Sequence, residues 1–349
     1  MTGGALAGSH HTGGSMLRFI VRRLLQAIPT LFILSLLIFA WFRALPGGPA
    51  SAMLGERATP QRIAELNETM GLNDPIPVQY LKFLGRMLNG DFGTSTITGD
   101  SVLTEIGRHF PATIELAFAA LFLAVAFGIP FGYLAARYRG SLFDTGIVIS
   151  TLVGVAVPVF FLGFLLKYVF STQLAWLPPS GRQDVDIDAT SVTGFATLDG
   201  ILTGEFDATL NALEHLALPA IALATIPFAV IVRITRASVL DVLNEDFIRT
   251  AESKGLTAQV VRTRHVLRNA LLPVATTIGL QTGLLLAGAV LTEKVFVWRG
   301  LGFLLAQGIE QRDYPRLQAL ILLAAVVYVV VNLLVDISYA IIDPRVRVS

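Results

Sequence analysis

Six stretches of this chain are too apolar and too long to sit in a water-soluble core: residues 24 to 42, 113 to 136, 143 to 170, 216 to 236, 271 to 292 and 318 to 342. At 1.5 Å rise per residue, about 20 such residues cross a hydrocarbon layer roughly 30 Å thick. Inside that layer every backbone N–H and C=O must find its partner within the segment, so the runs are expected as helices. The expected fold class is an all-α membrane protein of six transmembrane helices. Composition agrees, with 54% hydrophobic residues, 15% charged residues and a mean hydropathy of +0.67. Soluble domains carry roughly 25% charged residues.

The first run follows Arg18, Arg22 and Arg23. It exceeds the 7 to 15 or so residues of a signal-peptide core and no convincing A-x-A site follows it, so it reads as an uncleaved span. Residues 1 to 15, rich in Gly, Ser and Thr, read as a flexible tail outside a permease-sized domain of 16 to 349, and Met16 is a second candidate start. The adjacent His10 and His11 have metal binding as their alternative reading.

Charge sets the expected orientation. Arg137 and Arg139, then Arg233, Arg236, Arg249, Lys254, Arg262, Arg264 and Arg268, and finally Arg345 and Arg347, occupy connections that alternate with neutral or acidic ones. By the positive-inside rule both termini face the cytoplasm. The segment 171 to 215 then becomes an external loop, with Asp184, Asp186, Asp188, Asp199, Glu205, Asp207 and Glu214 against a single Arg182. It reads as a solvated acidic face, since Asp184, Asp186 and Asp188 lack the Gly and distal Glu of a calcium loop. With 26 basic and 25 acidic residues the net charge is +1, which leaves no field to attract nucleic acid. Membrane lipid is the expected surrounding medium, and the absence of cysteine excludes disulfides and thiolate chemistry.

Between the first two spans lies a long external segment, 45 to 110, opened by Pro46-Gly47-Gly48-Pro49. Thr59 as N-cap, Pro60 at the first helical position and Gly71 past the end predict a short helix with Ile63, Leu66 and Met70 on one face. A second helix is expected from Pro77 to Leu88, presenting Tyr80, Phe83, Leu84 and Met87, with Gly90 after it. A lid or docking platform outside the membrane and a hairpin covering the ends of the spans are both compatible with this pattern.

The chain contains no phosphate loop, no H-E-x-x-H pair and no G-x-S-x-G elbow. His109, His215 and His265 stand apart and read as structural. Lys167, Asp144, Glu115 and Asp336 fall near the ends of the runs, where they are expected to reach the interface. A midplane ion relay has little to run on, so an energy source is expected from another subunit and no catalytic residue or metal site is assigned.

The cytoplasmic connection 237 to 270 is unusually long. Within it Asn244 to Gly255 reads as a short helix, with acidic residues early, Lys254 late, Gly255 as terminator, and Phe247, Ile248 and Ala251 as an apolar stripe. Such a helix parallel to the membrane can dock in a groove of a soluble partner, with small Ala251 and Gly255 allowing close approach.

At these residues the sequence resembles the membrane subunits of ABC importers. Their E-A-A-x-x-x-G motif appears in altered form as Arg249-Thr250-Ala251 with Gly255, followed by His265-Val266-Leu267-Arg268. The altered strings R-T-A-x-x-K-G-L, at Arg249 to Leu256, and R-H-x-L-R-N-A-L-L-P, at Arg264 to Pro273, are those of the dipeptide and oligopeptide permeases. Further matches run in order from Met16. They include Gly90-Asp91-Phe92-Gly93 with Ser95, Pro111 to Leu116, Leu177 to Gly181, His215 to Pro219, Glu293 to Phe296, Gly300-Leu301-Gly302, Asp313-Tyr314-Pro315 and Asp343-Pro344-Arg345. The Arg-Arg-Leu-Leu start and long first external segment are similar to the B-type permease subunit.

The resemblance implies a type I ABC importer permease fold in a bacterial inner membrane. It also implies a second homologous permease subunit, two ATPase subunits that carry ATP and Mg, an external binding protein, and no cofactor on this chain. Asp246, Phe247, Arg249, Thr250, Ala251, Lys254, Gly255, Leu256, His265 and Leu267 would form the coupling element. Arg249, Arg262 and Arg264 serve equally well as positive-inside charges.

On the fifth span Thr276, Thr277, Gln281 and Thr282 are candidate pathway-lining residues, or side chains bonded to their own or a neighbouring helix. Gly128 and Gly132 around Pro130 read as packing and kinking positions. Peptide is the expected cargo, with haem or nickel chelate as alternatives inside the family. A secondary transporter and an intramembrane enzyme are disfavoured by the lack of coupling carboxylates and of a catalytic pair.

Overall fold

The structure is a computed structural model that describes residues 12–45, 47–55, 58–187 and 189–342. Most of the N-terminal tail, Pro46, Asp188, the Asp343-Pro344-Arg345 string and Arg347 lie outside the described residues, as do the side chains of Met16 and Asp336. Apart from an isolated antiparallel bridge between Thr94 and Ser101, the described regular structure is helical.

The first span is α1 (Thr12–Arg43). It is followed by the short helices α2 (Gly48–Leu54), α3 (Pro60–Thr69) and α4 (Ile76–Leu88). Thr59 caps α3 as its sequence predicts, its hydroxyl accepting from the Arg62 N–H at 3.4 Å. The second span is α5 (Val102–Arg137), longer than expected at 36 residues. Its first turns carry Glu105, Arg108 and His109, whose polarity hides a continuing helix from a hydropathy reading.

The third expected span, 143 to 170, is broken. Here α6 (Leu142–Ala156) and α7 (Val159–Leu166), the latter extended by a π-helical turn at Lys167–Gln173, meet at 104°. Pro158 causes the break, because it has no N–H to give and forces Val157 into an extended conformation at φ −81°, ψ 125°. After α8 (Ala196–Thr203), the fourth span is α9 (Phe206–Leu243). The expected surface helix is α10 (Asp246–Ser253). The fifth span runs through α11 (Ala258–Val260), a π segment at Val261–Leu267 and α12 (Arg268–Gly288). It stops at Ala289, and α13 (Val290–Val295), α14 (Leu301–Gln311) and the sixth span α15 (Tyr314–Ile342) follow. Among the described residues five helices are long and apolar enough to cross a membrane, and the bent α6–α7 pair makes a sixth when counted as one span.

Burial ranks these spans. In α9, 67% of the apolar window is buried, against 17% in α1 and α15, so α9 is the central post and the other two face outward. The tightest contact is α5 on α9, along Ala120, Ala124, Gly128 and Gly132 at four-residue spacing. A Cβ on Gly132 would lie 2.6 Å from Thr235 Cβ and 2.7 Å from the Val232 carbonyl oxygen. The packing role read for Gly128 and Gly132 is thus what the structure displays.

The bundle has two ends, one bearing α4 and the other α10. Expectation set the α4 segment beyond the membrane or over the ends of the spans, yet α4 packs along their flank. Tyr80, Phe83 and Met87 cluster with Leu34, Ile38 and Phe39 of α1 and with Ile321 and Leu322 of α15. The Tyr80 hydroxyl meets Ser35 Oγ at 2.8 Å, eight residues and therefore about 12 Å before the end of α1. The aromatic stripe of α4 needs an apolar surface, and the side of the spans supplies it.

Candidate functional site

At one end, α10 lies across the ends of α5, α9 and the π segment. Ile248 and Ala251 are buried with Ala136, Val239, Val261, Val266 and Ala270. The expected stripe of Phe247, Ile248 and Ala251 is therefore split, because α9 and the π segment occupy only the Ile248 side and leave Phe247 42% exposed. Ala251, 5% exposed, packs within its own chain. Asp246, Phe247, Arg249, Thr250, Lys254, Gly255 and Leu256 form the exposed side, with Gly255 ending the helix at φ +74°. His265 and Leu267 are half-buried on the π segment beneath. Arg249 approaches Asp246 at 3.8 Å, but both are largely in solvent, so this pair holds little.

An ion pair between buried Asp144 and half-buried Arg236 lies at the base of this face. Asp144 accepts from Arg236 at 2.7 and 2.8 Å and from the Gly140 N–H at 2.9 Å, tying α6 to α9. Asp144 was expected to reach the interface. It is 4% exposed because a fixed guanidinium meets it inside.

At the α4 end the separate sequence motifs converge. Arg316, 1% exposed, donates to both oxygens of Glu105 at 2.7 and 2.8 Å and to Ser95 Oγ at 3.1 Å. Ser95 in turn donates to Asp313 at 2.5 Å. Ser95, two residues after the Gly90-Asp91-Phe92-Gly93 string, and Asp313 of the Asp313-Tyr314-Pro315 string thus meet in one buried cluster. Further along α5 Glu115, also expected at the interface, is buried and accepts from Arg182 at 2.7 Å and from the Thr197 hydroxyl at 2.6 Å. Arg182 lies over the Trp298 ring at 5.5 Å instead of in solvent.

Glu293 is wholly buried and accepts from Thr113 Oγ1 and the Phe303 N–H, both at 2.8 Å. Burial pushes its carboxyl up to about 7, although those two donors, the Gly302 N–H and the charge of Arg182 pull it down. A Cβ on Gly300 would collide with Thr113 Oγ1 and sit 2.5 Å from the Glu293 carboxylate, which explains the Gly300-Leu301-Gly302 string. The pairings of Glu105, Arg316 and Glu293 escaped the sequence reading. Glu293 lies in one of the family strings, whereas Glu105 lies in none and Arg316 only follows one, and which segment meets which was not legible.

In the acidic segment Asp184, Asp186, Asp207 and Glu214 are exposed, as a solvated face requires, and Asp199 departs from that reading. Asp199 is buried, and burial raises its carboxyl while the Thr193 hydroxyl and the Thr193, Gly194 and Val192 N–H groups hold it below the ordinary range. Asp184 pairs with Asn211 and lies 3.5 Å from His215.

On α12, Thr276, Thr277 and Thr282 donate to the carbonyls of Leu272, Pro273 and Ile278 at 3.2, 3.0 and 2.9 Å. Gln281 is buried and lines a cavity of about 290 Å³ between α7, α9 and α12, with Phe160, Leu223, Pro227 and Thr292.

Apolar helices of spanning length, one broken span and a short helix seated across one end define an all-helical polytopic membrane protein. Residues 128–348 match the family described as binding-protein-dependent transport system inner membrane component, and residues 16–117 match its N-terminal family. The chain belongs to this family and is a permease subunit of the inner membrane. It is 48% identical over 333 residues to the di/tripeptide transport system permease protein DppB of Pseudomonas aeruginosa, covering 95% of this chain and 99% of that one. It is 44% identical to the dipeptide transport system permease protein DppB of Alkalihalophilus pseudofirmus, over 95% and 100% of the two chains. It is 40% identical to the oligopeptide transport system permease protein AppB of Bacillus subtilis, with the same coverage.

Proposed function

We propose that this chain forms half of the translocation pathway of an ATP-driven peptide importer and has no catalytic centre of its own. A second homologous permease completes the pathway, two ATPase subunits hold ATP and Mg, and an external binding protein delivers the peptide. The α10 end, with its Arg and Lys residues, faces the cytoplasm together with both termini, and the α4 end faces outward. The peptide named in each of the three relatives supports this cargo over haem or nickel chelate.

One observation carries the mechanism. The α10 helix is bolted to the bundle by Ile248 and Ala251 while Asp246, Phe247, Arg249 and Thr250 stay open, so a push on the open side moves the ends of α5 and α9. Coupling then requires the ATPase to hold that side differently in its two states. Gln281, facing the cavity between α7, α9 and α12, supplies the polar contact of the pathway, and Thr276, Thr277 and Thr282 spend their hydroxyl protons on their own helix.

The test is ATP hydrolysis by the co-purified complex in lipid, with and without peptide-loaded binding protein. Loaded binding protein is expected to stimulate hydrolysis. Phe247→Ala is expected to lower that stimulation about tenfold, as loss of an aromatic anchor at an interface does, with the unfolding midpoint unchanged. Full stimulation in Phe247→Ala would remove α10 as the coupling element, and stimulation by a different loaded cargo alone would remove peptide.

A further inference from the structure

A second cavity, of about 250 Å³, lies at the α4 end between α3, α4 and the adjoining ends of α1 and α15. Its walls are apolar, with Phe39, Phe42, Met70 and Met87 among them. Its charged groups are Arg43, Arg86 and Asp91, two guanidinium groups against one carboxylate. Neither arginine has an ion-pair partner among the described residues, and Arg43 rests over the Phe39 ring at 5.1 Å. Gln79, buried in the same wall, spends its amide N–H groups on the carbonyls of Leu72 and Asp74 and leaves Oε1 without a donor. Among the described residues the cavity thus offers a surplus cation and one unfilled acceptor, Gln79 Oε1, beside an apolar wall.

Its position names the source of a ligand. Arg43 ends the α1 span, the level where hydrocarbon gives way to headgroups. The inner stripe of α4 packs on α1 below that level, at Ser35 and Phe39. The other side of α4 exposes Ile76, Leu81 and Leu88 at 66%, 65% and 80%, the pattern of a helix laid into the interfacial region. A phosphodiester fits paired arginines, and the surplus positive charge favours a lipid of net charge −1.

We propose that this cavity holds the headgroup of an anionic phospholipid of the phosphatidylglycerol class from the adjacent leaflet. The phosphate lies on Arg43 and Arg86, the glycerol hydroxyls donate toward Asp91, and the acyl chains run down the outward face of α4. The lipid would fasten the α3–α4 segment to the spans.

The experiment measures phosphatidylglycerol and phosphatidylethanolamine retained per chain by the detergent-purified complex, using mass spectrometry. It also measures the rise in unfolding midpoint when each lipid is added back. Wild type is expected to retain phosphatidylglycerol in preference and to be stabilised by it. Arg86→Gln, an exposed position that leaves the fold intact, is expected to lower retention about tenfold, as removal of a charge-assisted contact does. Met70→Trp, which fills the cavity and keeps both charges, is expected to abolish retention, whereas Arg108→Gln, at the same end but outside the cavity, leaves it unchanged. Equal retention in wild type, Arg86→Gln and Met70→Trp overturns the site. Absence of lipid from wild type, with α4 protected from hydrogen exchange only when the binding protein is added, overturns it in favour of a protein surface.

Discussion

The Arg316 cluster holds one guanidinium and two carboxylates in a space closed to water: Arg316 and Glu105 side chains are 1% and 6% exposed, and Asp313 is 0%. Removing the cation and removing one anion are therefore unequal perturbations. Arg316→Met leaves two buried carboxylates with no cation between them, and breaking a buried pair from one side costs about 3–5 kcal/mol. Glu105→Gln keeps shape and volume and leaves Arg316 paired with Asp313 at 3.5 Å, so the loss is about 1–3 kcal/mol of charge-assisted hydrogen bonding. The Arg316→Met/Glu105→Met double variant deletes the pair together and is expected to recover part of the single Arg316→Met loss. Helical circular dichroism during SDS titration of mixed micelles measures each change. A Glu105→Gln loss equal to or larger than that of Arg316→Met would refute the charge accounting.

Glu293 gives a pH dependence with a defined sign. Its folded carboxyl titrates near 7, above its ordinary value of 4.5, so the folded state binds more proton between those values. Its contribution to stability is full below pH 4.5 and lost as pH rises through about 7. Relative to Glu293→Gln, wild type should lose roughly 2–3 kcal/mol between about pH 5 and pH 8, and a pH-independent difference would contradict it. At the α5–α9 contact, Gly132→Ala meets the Val232 backbone and is expected to cost about 1–3 kcal/mol. Gly146→Ala, whose Cβ enters open space, should be neutral or stabilising in the same unfolding assay.

The apolar runs, the Thr59 cap and the acid-to-base order of Asn244 to Lys254 are interactions within a few helical turns, and they determined the spans, α3 and α10 from sequence alone. Family strings placed the chain among permeases by the same local means. Only the tertiary structure decided that Ser95 meets Asp313 across 218 positions and that Thr113 meets Glu293 across 180. An ion pair depends on where two segments arrive, and that is settled by packing such as the small-residue seam of α5 on α9. The same holds on α10. Phe247 and Ile248 are neighbours of equal apolarity in the chain, and the position of α9 and the π segment decides which is buried and which is left for a partner. Hydropathy also passed over Pro158, because a proline in an apolar run changes the direction of the backbone without changing how much the run dislikes water.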